Sequence, residues 1–264
     1  MVTFELRGRI AFVGLNRVNK RNAINEELLA ALRVAVERAN EAADVSVIFG
    51  HGPHFSAGLD LGEALARAQD QDSMIRKRRK HSWHEVFDLI ARGPIPWVAA
   101  LHGAVVGGGL ELATAAHLRV GDETAFFALP EGQRGIFVGG GGTVRIQRVI
   151  GFSAMADMML TGRTLDAREA EREKILRYVV PKGEALGKAE ELANLIAMNT
   201  LETNWRIINV LPRVNDLSHE DGLFMEYLTN NMRRPPAAEQ RLREFIEGKA
   251  RPLCTPSAGG GDAP

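Results

Sequence analysis

The sequence has little with which to cross-link itself or to cross a membrane. Its 264 residues include a single cysteine, Cys254, so no disulfide can form within the chain, and we expect a reducing compartment. The longest apolar stretch, residues 97–115, is interrupted by His102 and Glu111, whereas a membrane-spanning helix needs about 20 mostly apolar residues. The first residues lack the basic and apolar regions of a signal peptide. We therefore predict a cytoplasmic protein.

The chain also lacks a surplus of charge of either sign. Lys plus Arg and Asp plus Glu both number 33, so the formal net charge is zero. A balanced charge gives no electrostatic reason to expect a nucleic-acid or membrane partner, and we predict neither. Apolar residues make up 45% of the chain and charged residues 25%, which is typical of a soluble globular protein.

Strand and helix patterns alternate along most of the chain. Residues 3–6 and 10–15 read as a hairpin, residues 45–49 and 97–101 as short buried strands, and residues 178–180 as a further short strand. Between them, Leu28, Leu32, Ala35, Val36 and Ala39 form one apolar stripe of a helix. Beyond residue 150 the pattern is mainly helical. Repeated strand–strand–helix units followed by helices predict an α/β fold with a helical C-terminal part.

Two glycine clusters, residues 107–109 and 139–142, each precede a predicted helix. Unpaired N–H groups at the positive end of such a helix suit an anion, either a fixed one or one that develops during a reaction. The dinucleotide pattern G-x-G-x-x-G fails, because Val144 stands where the third glycine belongs, and Walker and G-x-S-x-G patterns are absent. Close helix–strand packing explains these glycines equally well, and spacing alone leaves both interpretations open.

Two glutamates stand beside these clusters. Glu111 lies in the first turn of the helix after residue 109, in an apolar stretch where a charge must find a partner or shift its pKa. Glu131 follows a predicted strand and Pro130. Two carboxylates in different surroundings could divide acid and base roles. The alternative is a helix-dipole partner and a surface charge, and the residues alone favour this second interpretation.

Four segments, in this order along the chain, resemble the motifs of the crotonase (enoyl-CoA hydratase/isomerase) family. They are residues 15–24 (LNRVNKRNAI), 54–61 (HFSAGLDL), 99–112 (AALHGAVVGGGLEL), and 127–131 (FALPE) followed by 139–143 (GGGGT). The resemblance runs over about residues 4–181. Any one motif would be weak evidence, whereas the set in order is specific and favours a catalytic role for both glutamates.

The resemblance implies an architecture and an assembly. We expect a crotonase-like spiral of repeated β-β-α units with a C-terminal helical trimerisation subdomain, forming a homotrimer or a dimer of trimers. The corresponding domains are a core with the CoA and active sites at residues 1–198, a helical oligomerisation subdomain at 199–253, and a disordered tail at 254–264. An apolar helical stripe within the second region fits a subunit interface; its members are Trp205, Ile207, Ile208, Leu211 and Val214.

The resemblance also implies a reaction and its residues. An acyl-CoA thioester would bind with its carbonyl oxygen on the backbone N–H groups of Leu59 and Gly108. Retention of both glutamates favours syn addition of water to a 2-enoyl-CoA, with Glu131 donating a proton to the α-carbon and Glu111 helping to activate the water. The remaining expected contacts to substrate or CoA are Lys20, Arg21, Ala57, Gly58, Asp60, Leu61 and Gly107. We expect no metal and no cofactor, because coenzyme A is part of the substrate.

Alternatives to hydration are an isomerase, a hydratase that also splits its product or hydrolyses the thioester, and an idle CoA- or RNA-binding protein. The chain departs from the family at Gly132, at Val138 and at residues 173–175, where Glu-Lys-Ile replaces a common Leu-Gly-Leu. A basic run at residues 76–80 could attract CoA phosphates, bind RNA or be a solvated helix face. His81 and His84 share a helical spacing but lack further metal ligands.

Overall fold

A computed structural model of the protein describes residues 1–68, 82–232 and 236–249. The chain divides into two compact units, with the boundary after Asp216. The first unit therefore extends beyond residue 198, where we place a domain boundary from the sequence; that functional division stays a prediction. None of the described helices is both long and apolar enough to span a membrane.

The first unit is built on a six-stranded sheet with the order β1-β2-β3-β4-β6-β9. Strands β1 and β2 form the predicted antiparallel hairpin, and the other neighbours pair in parallel. The strand bounds are β1 Val2–Arg7, β2 Ile10–Leu15, β3 Val45–Gly50, β4 Trp97–Leu101, β6 Leu118–Asp122 and β9 Tyr178–Val180. A second, three-stranded sheet contains β5 Ala104–Val106, β7 Phe126–Ala128 and β8 Thr164–Asp166, in the order β5-β7-β8.

The helices of the first unit are α1 Glu26–Ala42, α2 Leu61–Ala68, α3 Ser82–Ala91, α4 Gly108–Ala113, α5 Gly142–Thr161, α6 Ala167–Arg172, α7 Ala185–Ala197 and α8 Leu201–Val214. The second unit contains α9 His219–Asn230 and α10 Pro236–Ile246. The apolar stripe predicted for α1 is buried along its whole length. The helix predicted to end at Ile150 is interrupted next to that residue: Gly151 has φ 80° and ψ 163°, which kinks α5, and a second helical segment follows.

Both faces of the large sheet are covered, which explains why its strands are apolar without strict alternation. Ala11 and Val13 of β2 belong to the core that contains α1. Ile10 and Phe12 of the same strand belong to a second core, in which α7 contributes Ala189 and its neighbours. Because successive strand residues point to opposite faces, β2 supplies both cores and is buried throughout. The helices packed on both faces hold the sheet in place. The candidate site begins at the ends of its strands.

The turn at residues 173–175 forms although it departs from the family pattern. Lys174 adopts a left-handed backbone with φ 69°, a conformation that glycine takes more readily. Its N–H donates to the carbonyl of Glu171 at 3.1 Å, and the N–H of Leu176 donates to the carbonyl of Ala170 at 3.1 Å. Ile175 is fully buried. Tertiary packing of the neighbouring apolar side chains therefore holds lysine in a strained turn.

Candidate active site

The loop that follows β3 presents the N–H group of Leu59. The N–H of Ile24 donates to the carbonyl of Gly58 at 2.7 Å, and the N–H of Asp60 donates to the carbonyl of Ile24 at 3.0 Å. These two bonds flank Leu59 in a short parallel bridge, so its own N–H points to the other side. Gly58 has φ 83°, and its N–H donates to the hydroxyl of Ser56. The motif segments at residues 15–24 and 54–61 therefore hold one another in position.

A second N–H group, that of Gly108, lies beside the first. Gly107 precedes α4 with φ 52° and donates its own N–H to the carbonyl of Ala128 at 2.9 Å. A Cβ on Gly58 would lie 3.1 Å from the nitrogen of Gly108, and a Cβ on Gly108 would lie 3.6 Å from the nitrogen of Leu59. Within the described part of the chain neither N–H has a hydrogen-bond partner. The structure thus brings the two predicted oxyanion donors together at a helix N-terminus.

The second glycine cluster binds a fixed anion, the carboxylate of Glu111. This side chain is 3% exposed, and its Oε1 accepts hydrogen bonds from the N–H groups of Gly140 at 2.7 Å and Gly142 at 2.8 Å. Donors from two backbone amides offset the cost of burying the charge. No donor from the described residues reaches Oε2. One carboxylate oxygen is therefore held by the protein, and the other is left for a further partner.

Glu131 is also buried, but one of its carboxylate oxygens receives no hydrogen bond from the described residues. It follows β7 and Pro130, and it is 6% exposed. Its Oε2 has no hydrogen-bond partner among the described residues. Burial raises the pKa of Glu131, its own backbone N–H lowers that pKa, and the charge of Glu111 raises it. The burial excludes the alternative of a solvated surface charge. The two glutamates interact, yet their surroundings differ, as a division of acid and base roles requires.

Two aromatic side chains from α3 cover this pair, and sequence reasoning did not assign them to the site. A Cβ on Gly108 would lie 2.8 Å from Cη2 of Trp83, and a Cβ on Gly140 would lie 3.0 Å from Cε2 of Phe87. The two rings meet edge to face at 5.5 Å. Trp83, Val86, Phe87 and Ile90 follow an i, i+3, i+4, i+7 spacing, so this periodicity was the available signal. Their rings therefore lie beside the two glycines that flank the candidate site.

The predicted CoA contacts lie along the same loop, in different environments. Lys20 and Arg21 are exposed at the end of a short 3₁₀ helix. The carbonyl of Arg21 accepts from the N–H of Ala57 at 2.9 Å, so the two basic residues are tied to the segment that leads to Leu59. Their side chains are therefore accessible to a phosphate. The role itself stays a prediction.

Asp60 is engaged within the protein. Its Oδ2 accepts from Arg17 at 2.6 Å, and its Oδ1 accepts from the N–H of Gly62 at 3.1 Å at the start of α2. These bonds anchor the residue that follows Leu59. Leu61 is 43% exposed at the first position of α2. A substrate contact by Asp60 or Leu61 stays a prediction.

Other predicted features lie elsewhere or outside the described residues. The basic run at residues 76–80 and His81 fall in the segment that is not described. His84 lies on α3. Within residues 1–68, 82–232 and 236–249, no three His, Cys, Asp or Glu side chains are arranged to hold a metal ion. Gly132, one of the departures from the family, lies against α5, where a Cβ would come within 2.5 Å of the carbonyl oxygen of Met159.

Comparison with known proteins identifies the fold and the family. The solved structure of a provisionally assigned enoyl-CoA hydratase from Rhodopseudomonas palustris is 42% identical, with a TM-score of 0.84, over 94% of this chain and 95% of that one. A relative from Dictyostelium discoideum, provisionally assigned as a mitochondrial enoyl-CoA hydratase, is 36% identical over 85% of this chain and 79% of its own length. The enoyl-CoA hydratase EchA19 of Mycobacterium tuberculosis is 33% identical over 74% of each chain. The fold is therefore crotonase-like. The family model described as enoyl-CoA hydratase/isomerase matches residues 5–211, and the chain belongs to this family.

Proposed function

We propose that the protein is an enoyl-CoA hydratase that adds water syn to the double bond of a 2-enoyl-CoA thioester. One observation carries this proposal: two backbone N–H groups without partners among the described residues lie side by side, next to two buried glutamates whose surroundings differ. The names of the relatives from Mycobacterium tuberculosis and Dictyostelium discoideum support the same reaction.

The paired N–H groups would polarise the thioester carbonyl. Its oxygen would accept hydrogen bonds from Leu59 and Gly108, and both bonds strengthen as negative charge develops on that oxygen in the enolate. The donors are backbone groups, so they are already oriented before the substrate arrives. Removal of one such donor typically raises a barrier by about 3–4 kcal/mol. The N-terminus of α4 adds a positive potential at the same place.

The glutamates would complete the addition. Glu111, with Oε1 held by two amides, would orient water through its other oxygen and accept the proton as the water oxygen bonds to the β-carbon. Glu131, whose pKa is raised, would carry the proton that is transferred to the α-carbon. Two proton transfers then balance the addition of one water molecule. The carboxyls return to their starting states by exchange with solvent.

We also propose the cofactor requirement, the assembly and the location of the protein. Coenzyme A enters as part of the substrate, and no separate cofactor or metal is required. We propose a homotrimer or a dimer of trimers, because α8 leaves Trp205, Ile207 and Leu211 between 41% and 61% exposed while Ile208 is buried. We propose a cytoplasmic location, without nucleic-acid or membrane partners; the relative from Dictyostelium discoideum is described as mitochondrial.

Turnover of crotonyl-CoA and cinnamoyl-CoA tests the proposal most directly. We expect loss of the conjugated enoyl absorbance and formation of a 3-hydroxyacyl-CoA, verified by mass spectrometry. Release of free CoA would indicate thioester hydrolysis, and formation of acetyl-CoA would indicate cleavage of the product. Conversion of a 3-enoyl-CoA to a 2-enoyl-CoA without hydration would contradict the proposal in favour of an isomerase. Binding without any turnover would contradict it in favour of an idle binding protein.

A further inference from the structure

The proposed mechanism does not use Arg145, although this cation lies directly behind Glu111. Arg145 is on the first turn of α5, and its side chain is 16% exposed. Its Nη1 donates to Oδ1 of Asp88 at 3.1 Å, and its Nη2 donates to the carbonyl oxygen of Gly140. The Nε is buried and has no partner among the described residues. Burial of a charge is costly unless ionic partners and hydrogen bonds compensate for the water that it loses.

The glycine turn is wrapped around this guanidinium. Gly141 has φ 93°, and a Cβ there would lie 2.8 Å from Cζ of Arg145, so only glycine fits both the backbone conformation and the space. The N–H of Arg145 donates in turn to the carbonyl of Gly141 at 3.0 Å. The side chain and the backbone of one residue therefore hold consecutive carbonyls of the turn.

The same turn supplies both hydrogen bonds to Glu111. The carbonyl of Gly140 that Arg145 binds lies between the two N–H groups, of Gly140 and Gly142, that donate to Oε1. Any rotation of that part of the backbone would move both donors. Burial lowers the pKa of Arg145, whereas the negative charges of Asp88 and Glu111 raise it. Arg145 is thus linked to Glu111 by geometry and by charge, without direct contact.

We propose that Arg145 is a positioning residue, which holds the turn at residues 139–142 so that its amides fix one oxygen of Glu111 and direct the other towards the reacting water. This inference depends on the proposed function. The planar guanidinium reaches Asp88 on one side and the carbonyl of Gly140 on the other. A lysine keeps the charge but has a single nitrogen at its end, so it cannot make both bonds in the same fork geometry.

Arg145→Lys tests the proposal, with Arg148→Lys as a matched control on the same helix. Arg148 is half exposed and pairs with Asp216 at 2.9 Å, away from the glutamates. We expect Arg145→Lys to lower kcat by about 10²-fold, the usual effect of misplacing a reacting group by about 1 Å, with KM nearly unchanged. Arg148→Lys should keep both constants. An Arg145→Lys enzyme with normal kcat, or with a raised KM as its main defect, overturns the proposal.

A double-mutant cycle with Glu111→Gln separates positioning from general support of the fold. If Arg145 acts through Glu111, Arg145→Lys should cost no more than about threefold in kcat when Glu111 is already glutamine, because coupled residues are not additive. A full 10²-fold loss in both backgrounds would show a merely structural role and overturns the inference. If Glu111→Gln alone kept normal activity, the proposed function itself would fail, and this outcome is distinguishable from the other.

Asp88→Asn provides a second test that does not depend on the folding of the lysine variant. Asp88 is 45% exposed at its side chain, so its substitution leaves the core intact. The change removes the ionic partner of Nη1 and leaves the bond to Gly140 in place. We expect a smaller loss of kcat, at most about 5-fold on the scale of one exposed ion pair, that disappears in the Glu111→Gln background. Equal losses in both backgrounds argue against the proposal.

Discussion

Glu131→Gln is expected to remove activity and at the same time to stabilise the folded protein. The substitution keeps the size of the side chain and deletes its proton-donating carboxyl group. General acid–base groups contribute about 10²- to 10⁴-fold to a rate, so we expect kcat to fall by that factor. KM should change little if the loss lies in the transition state.

The expected gain in stability follows from the poor hydrogen bonding of the buried Glu131 carboxyl group. The side chain is 6% exposed and its Oε2 has no partner among the described residues. An unsatisfied buried group costs about 1–3 kcal/mol, and more when it is charged. Glutamine leaves a neutral group in the same place, so part of that cost is recovered, and we expect a gain of about 1 kcal/mol. For a chain of this size, such a gain raises Tm by about 2–4 °C.

The gain should depend on pH in a definite direction. Because burial raises the folded-state pKa of Glu131, the folded protein binds this proton more tightly than the unfolded chain does. The free energy of unfolding of the wild type therefore rises as pH falls through the raised pKa towards 4.5, the ordinary glutamate value. Glutamine has no such titration. The advantage of the variant should be largest above the raised pKa and should vanish as pH approaches 4.5.

Thermal unfolding by circular dichroism across this pH range, together with turnover of crotonyl-CoA, measures both effects. Glu123→Gln is the matched control, because Glu123 is an exposed carboxylate in the turn after β6. The control should keep the activity of the wild type. A folded Glu131→Gln enzyme with near-normal kcat would refute the catalytic assignment. A variant that is less stable than wild type at neutral pH would refute the argument from the unpaired buried oxygen.

Three further outcomes can be measured. Lys174→Gly should raise the free energy of unfolding by up to about 1 kcal/mol, because lysine has φ 69° there; a loss of stability in urea would contradict the strained turn. Gly132→Ala should lower the free energy of unfolding by about 1–3 kcal/mol, since a Cβ would meet the carbonyl oxygen of Met159 at 2.5 Å. An unchanged urea midpoint would show that α5 moves to accommodate the added methyl group. Joint replacement of Lys20 and Arg21 by Ser should raise KM for acyl-CoA in a salt-dependent way at constant kcat; an unchanged KM would exclude them as CoA contacts.

Features that depend on local periodicity could be read directly from the sequence. The hairpin, the stripe of α1 and the short buried strands appear at the predicted positions, because their apolar spacing follows from strand and helix geometry alone. The four ordered motifs identified the family, and with it the candidate residues Glu111, Glu131, Leu59 and Gly108.

Features that join distant parts of the chain were decided by the tertiary structure. The sequence showed that Glu111 needs a partner, but not that the amides of Gly140 and Gly142, 29 and 31 residues later, supply it. The placement of Trp83 over Gly108 likewise depends on how α3 packs against α4. Such contacts have no local signature, since their energies depend on which surfaces meet after the sheet has formed.

The two glutamates illustrate the difference between what the sequence determines and what the tertiary structure determines. Composition and spacing alone favoured a dipole partner and a surface charge, and the motifs alone indicated a catalytic pair. Only the folded structure buries both side chains, satisfies one oxygen of Glu111 and leaves Oε2 of Glu131 without a partner in the described part of the chain. Motif spacing determines which residues are carried to the site, whereas packing across the fold determines the hydrogen bonds of Glu111 and the raised pKa of Glu131, because desolvation is a property of the packed surroundings.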